Sequence, residues 1–118
     1  MEVKVTFEGS AFVVEAEGKK LRISYKEKLS PYAEAMKFCK ENGGGDETVE
    51  NLRFLAKHRD AINKQLVAES RSVLSNWYWS NEVSWRYGNG AFVVNSYDGL
   101  VCDYGMYRSI NVRAVSAL

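Results

Sequence analysis

Hydrophobic residues alternate with polar ones along the first part of the chain. Val3, Val5 and Phe7 are interleaved with charged or polar neighbours, and Gly9-Ser10 punctuates the run. Phe12 and Val14 alternate again, Glu17-Gly18 makes a second break, and Leu21, Ile23 and Tyr25 follow. A period of two predicts half-buried strands, so residues 1–28 read as a three-stranded antiparallel meander. The period then changes. Ser30-Pro31 predicts a helix start, with the Ser30 hydroxyl accepting from free N–H groups and Pro31 having no N–H to leave unpaired. Tyr32, Ala35, Met36 and Cys39 form one helical stripe. Gly43-Gly44-Gly45 is the expected stop. A second helix should begin at Asp46 or Thr48, with Glu47 and Glu50 in its first turn against the helix dipole. Val49, Leu52, Leu55, Ala56, Ile62 and Leu66 keep helical spacing to about residue 67, with a candidate break at His58-Arg59-Asp60. Residues 30–67 thus read as two amphipathic helices packed on one sheet.

Beyond Arg71 the texture becomes short β-like runs broken by glycine and asparagine. Candidate strands cover 78–81, 91–96, 100–103 and 111–115, and Tyr97-Asp98-Gly99 reads as a tight hairpin turn in which glycine supplies a positive φ. The expectation is one α+β domain over residues 1–118, its meander and helices followed by a β/loop region at 77–118.

Composition separates that last region from the rest. Residues 77–118 hold all three tryptophans and nine of the 15 aromatics, yet no lysine and only six charged side chains. Tyr, Trp, Ser, Gly and Asn with lysine depleted are what a desolvated contact surface uses; an aromatic β core is the competing reading. The whole chain has 16 basic and 15 acidic residues, which lacks the basic excess of a nucleic-acid binder. No apolar run approaches the ~20 residues that span a bilayer, and the charged start is unlike a signal peptide. A soluble protein with no membrane insertion is expected. Cys39 and Cys102 fit neither a disulfide framework nor a zinc pattern, and read as two free, buried thiols.

Little points to catalysis. His58 lies in a Lys-His-Arg-Asp run without a second ligand at metal spacing, and reads as a solvated helix residue. Asp98 and Asp103 would be the carboxylate pair of a hydrolase, but Asp98 belongs to a turn signal. Phosphate-binding and nucleophile-elbow motifs are absent. Ser80, Asn81 and Glu82 offer oxygen ligands, too few to close a calcium site. No metal, no cofactor and no catalytic residue are expected.

Three blocks near the C-terminus carry a resemblance: Tyr78-Trp79-Ser80-Asn81-Glu82, then Ala91-Phe92-Val93-Val94-Asn95-Ser96-Tyr97-Asp98-Gly99, then Asn111-Val112-Arg113-Ala114-Val115. Their order and spacing resemble the Fibrobacter succinogenes major paralogous domains and the C-type-lectin-like variable proteins of diversity-generating retroelements. Upstream, residues 47–53 are similar to that family's helix opening, although Glu47 stands where the family has proline and Asn51 where it has an acid. The resemblance implies a C-type-lectin-like fold, to which the N-terminal meander is an addition. It also implies that the three blocks are scaffold, with Trp79, Ala91, Val93, Val112, Ala114 and Val115 in the core. The segments between the blocks would then be the variable binding surface: Val83, Ser84, Trp85, Arg86, Tyr87 and Asn89 in the first, and Asp103, Tyr104, Met106, Tyr107, Arg108 and Ser109 in the second. Both are rich in the Trp, Tyr and Arg that dominate interfaces. The expected function is non-enzymatic binding of a protein or glycan ligand, in a phage, prophage or gut-bacterial setting, on a phage particle or bacterial surface. The alternative is an assembly domain whose aromatic face is buried in a homo-oligomer. The only proline, Pro31, opens a helix, so the proline-containing triplet of calcium-dependent sugar-binding lectins is missing.

Overall fold

The computed structural model describes residues 2–84 and 88–118. The N-terminal alternation folds as expected into β1 (Lys4–Glu8), β2 (Ala11–Ala16) and β3 (Lys19–Ser24), an antiparallel meander. Phe12 lies opposite both Phe7 and Ile23, and Val14 opposite Val5 and Leu21. One face is therefore continuous and apolar. Three helices follow: α1 (Tyr32–Glu41), α2 (Val49–Lys57) and α3 (Arg59–Ala68). The anticipated second helix is divided at His58, which closes α2 and opens α3.

The glycine stop behaves as its chemistry requires. Gly43 has φ +76°, and the Gly43 and Gly44 N–H groups donate to Lys40 O and Cys39 O, the paired closure of a left-handed helix end. The start of α1 departs from expectation. Pro31 holds the cap position and Ser30 makes no capping bond; its hydroxyl is buried without a hydrogen-bond partner among the described residues. Ser30 instead ends a short strand, β4 (Lys28–Ser30), and its carbonyl accepts the Trp79 indole N–H at 2.9 Å.

Glu47 is a second correction. It precedes α2 rather than joining its first turn, and Thr48 is the cap, accepting from Asn51 N–H. The Glu47 carboxylate is buried and accepts from the Gly45 and Val115 N–H groups at 2.9 and 2.6 Å. A Cβ on Gly44 would come within 2.2 Å of that carboxylate, so only glycine fits there. His58 is also corrected, being buried, with its ring edge-on to Phe54 and Nε2 3.1 Å from Glu17 Oε2.

The C-terminal region forms β5 (Trp77–Ser84), β6 (Gly90–Asn95), β7 (Val101–Gly105), β8 (Ile110–Val112) and β9 (Val115–Ala117). The strand expected at 111–115 is two strands. β8 joins a five-stranded sheet ordered β4-β8-β5-β6-β7, whereas β9 crosses to the meander as β1-β2-β3-β9. Arg113 sits at the crossover, almost fully buried, with Nε on Glu27 Oε1 at 2.8 Å and a guanidinium N–H on Ser24 O at 3.0 Å. Glu27 also accepts from the Ser75 and Tyr78 hydroxyls. The network joins both sheets and leaves neither charge unpaired, the condition for burying them.

Alternation along β5 puts Trp79 on one face of the five-stranded sheet and Tyr78 on the other. Trp79 packs with Ala35, Cys39, Val93 and Val112 beneath α1. Tyr78 and Val94 share a core with Leu52, Leu55, Ile62, Leu66 and the meander's Phe12 and Leu21. The helices do pack on one sheet, from opposite sides. All six expected core residues of the C-terminal blocks are buried. Both cysteines are free, Cys39 buried and Cys102 only half-buried. Burial pushes the Cys39 thiol well above its ordinary range, with Glu47 nearby adding to the effect. Among the described residues, no helix is long and apolar enough to cross a membrane.

Candidate functional site

The two segments expected to bind a ligand meet because β6 pairs with both β5 and β7. Ser84 lies opposite Gly90, and Gly90 opposite Gly105, so the ends of three strands align. Met106 N–H donates to Asn89 O, and Tyr32 N–H donates to Met106 O, tying the second segment to the first and to the start of α1. Arg108 N–H returns to Gly105 O in a turn. A Cβ on Gly105 would lie 2.5 Å from the Tyr107 ring, so glycine lets that ring fold back over the strand end.

Asn89, Asp103, Tyr104, Tyr107 and Arg108 surround one open hollow of about 370 Å³. Tyr107 is 72% exposed and Tyr104 38%. The Arg108 guanidinium lies over both rings, 5.5 and 5.8 Å from their centres, a spacing at which cation and ring quadrupole attract. Ser84 Oγ donates to Asp103 Oδ2 at 2.8 Å, fixing the carboxylate. The hollow thus offers two rings, an acceptor, a guanidinium and an amide, which suits contact with a surface having both apolar and hydrogen-bonding parts.

Not every expected residue faces outward. Ser84 is buried, and Met106 packs on the core beneath α1. Val83 is half-buried on β5, and the exposed Ser109 borders a different hollow with Trp77 and Ile110. Trp85, Arg86 and Tyr87 lie outside the described residues. Trp77 was not expected at the site, yet its ring stacks on Tyr104 at 6.4 Å and 21°. Its signal was the period of two, which puts Trp77 on the face of Trp79.

The residues considered for metal or acid–base chemistry have other work. Ser80 Oγ donates to Phe92 O, Asn81 Nδ2 donates to Gly45 O, and Glu82 accepts from Val49 N–H at the start of α2. These bonds lock a register shift in β5 between Trp79 and Val83 against the loop before α2. Asp98 accepts from Leu100 N–H in the β6–β7 turn, away from Asp103, so the two do not form a pair. The described residues contain no group of three or more His, Cys, Asp or Glu placed to hold a metal ion. Compared with protein-family models, with curated proteins and with solved structures, the chain matches none of them.

Proposed function

We propose that this chain is a C-type-lectin-like, non-enzymatic binding domain that presents a variable-type aromatic surface to a protein or glycan ligand, in a phage or bacterial-surface setting. One observation carries the reading. Asn89 from the first segment and Asp103, Tyr104, Tyr107 and Arg108 from the second border a single open hollow, on a frame to whose cores all three resembling blocks contribute buried residues. Aromatic and arginine side chains on a rigid scaffold are a common source of interface affinity.

The test is the pattern of substitutions among sibling genes of the same genomic neighbourhood. Adenine-directed changes should concentrate in codons 83–89 and 103–109 and spare Trp79, Val93 and Val112. Changes scattered through those buried positions would end the proposal. A second reading, self-association, is favoured by β7, one of the two outer strands of its sheet, which carries Tyr104 and pairs with β6 alone among the described strands. An open edge invites another chain. Sedimentation at micromolar concentration decides it, since a monomer excludes assembly through β7.

A further inference from the structure

A second hollow lies apart from the aromatic face. Helix α2 forms its floor and two turns form its banks, Glu17 and Lys19 on the β2–β3 side and Asp98 and Gly99 on the β6–β7 side; the trough measures about 730 Å³. Val49, Phe54 and Ala56 make part of the lining apolar, although Phe54 is almost fully buried and the Lys19 ammonium lies over its ring, 5.4 Å from the centre. The charges are unequally matched. Glu17 is committed to both Lys57 and His58, and Lys19 approaches Glu50 at 3.9 Å. Arg53, exposed on the same floor, has no hydrogen bond or ion pair among the described residues.

The surroundings of Arg53 are well defined. Gly99 is buried with φ +77°, and a Cβ there would lie 3.8 Å from Arg53 Nε and 3.9 Å from Ala56. The arginine stem therefore rests beside the turn. The opposite bank is held by Glu17, in a left-handed conformation at φ +54° and tied to Lys57 and His58. Asp98 uses one carboxylate oxygen on Leu100 N–H and has no basic partner among the described residues. The trough thus holds one unanswered guanidinium, one unanswered carboxylate and an apolar floor.

From this arrangement we infer that the trough binds the C-terminal residue of a peptide, with its carboxylate on Arg53, an N–H directed to Asp98 and an apolar side chain over Val49. A guanidinium fork matches a carboxylate in two parallel hydrogen bonds. Around the trough Glu17, Glu50 and Asp98 balance Lys19, Arg53 and Lys57, so the lining lacks the excess of positive charge that a phosphate would call for.

The probes are N-acetyl-leucine and N-acetyl-leucinamide, titrated into the ¹⁵N-labelled protein. The acid should shift the amides of α2, Lys19 and Gly99 with millimolar affinity, and the neutral amide should bind about tenfold more weakly. Arg53→Gln should remove that preference while the melting temperature stays unchanged, because Arg53 is exposed and unpaired. Equal binding of acid and amide, unchanged affinity in Arg53→Gln, or no saturable shifts would each overturn the inference. Tyr104→Ala and Tyr107→Ala should leave this binding intact, which separates it from the aromatic face.

Discussion

Two groups of aromatic residues, one at each sheet, are treated in opposite ways. On the four-stranded sheet, Phe7, Phe12 and Tyr25 form a closed cluster with ring centres 5.7 to 6.4 Å apart, and Phe12 is wholly buried. On the five-stranded sheet, Trp77, Tyr104 and Tyr107 are linked by stacking and by Arg108, yet Tyr107 is largely in solvent. Similar ring contacts thus do different work. A buried ring removes apolar area from water, whereas an exposed one leaves most of that gain to be made with a partner.

Phe12→Ala should have the largest effect, lowering unfolding free energy by about 3–5 kcal/mol in a denaturant titration, because it empties the shared core. Next is Glu27→Gln. It leaves Arg113 buried without its counter-charge, and a loss of about 3 kcal/mol is expected. Burial by itself would raise the Glu27 pKa, but Arg113 and the hydrogen bonds from Ser75, Tyr78 and Arg113 outweigh it and hold the group below its ordinary 4.5. A carboxylate with a lowered folded pKa stabilises above its unfolded pKa, and that contribution disappears as pH falls through the folded value. The parent protein should therefore lose stability below about pH 4.5, and the Gln variant should show a smaller loss. Smallest of all, Tyr107→Ala should change stability by no more than about 0.5 kcal/mol. A loss as large as that of Phe12→Ala would show that the two aromatic groups do not differ.

The meander, the glycine stop of α1 and the six buried C-terminal positions were legible in the sequence because each rests on local alternation, helical spacing or a special φ. Ser30, Glu47 and His58 were misread for a common reason. Each has an ordinary local role, as cap, first-turn acid or solvated helix residue, and each is redirected by a distant partner. Ser30 O meets Trp79, Glu47 meets Val115, and His58 meets Glu17. At the candidate site, the aromatic and arginine content marked the region. Which side chains are exposed did not follow from it, since Tyr104 and Met106 both lie in the strand and turn that border the hollow but point to different surroundings.

By itself the sequence determined the meander, the helical middle and the faces that these and the later strands would bury, because periodicity and turn chemistry are short-range properties. Tertiary structure decided that residues 110–117 divide between two sheets, that Arg113 and Glu27 form a buried pair across the junction, and that Asn89 and Arg108 share one hollow. Those outcomes depend on strand pairing and charge burial between residues far apart in the chain. Such long-range pairings leave no periodic trace in a single sequence.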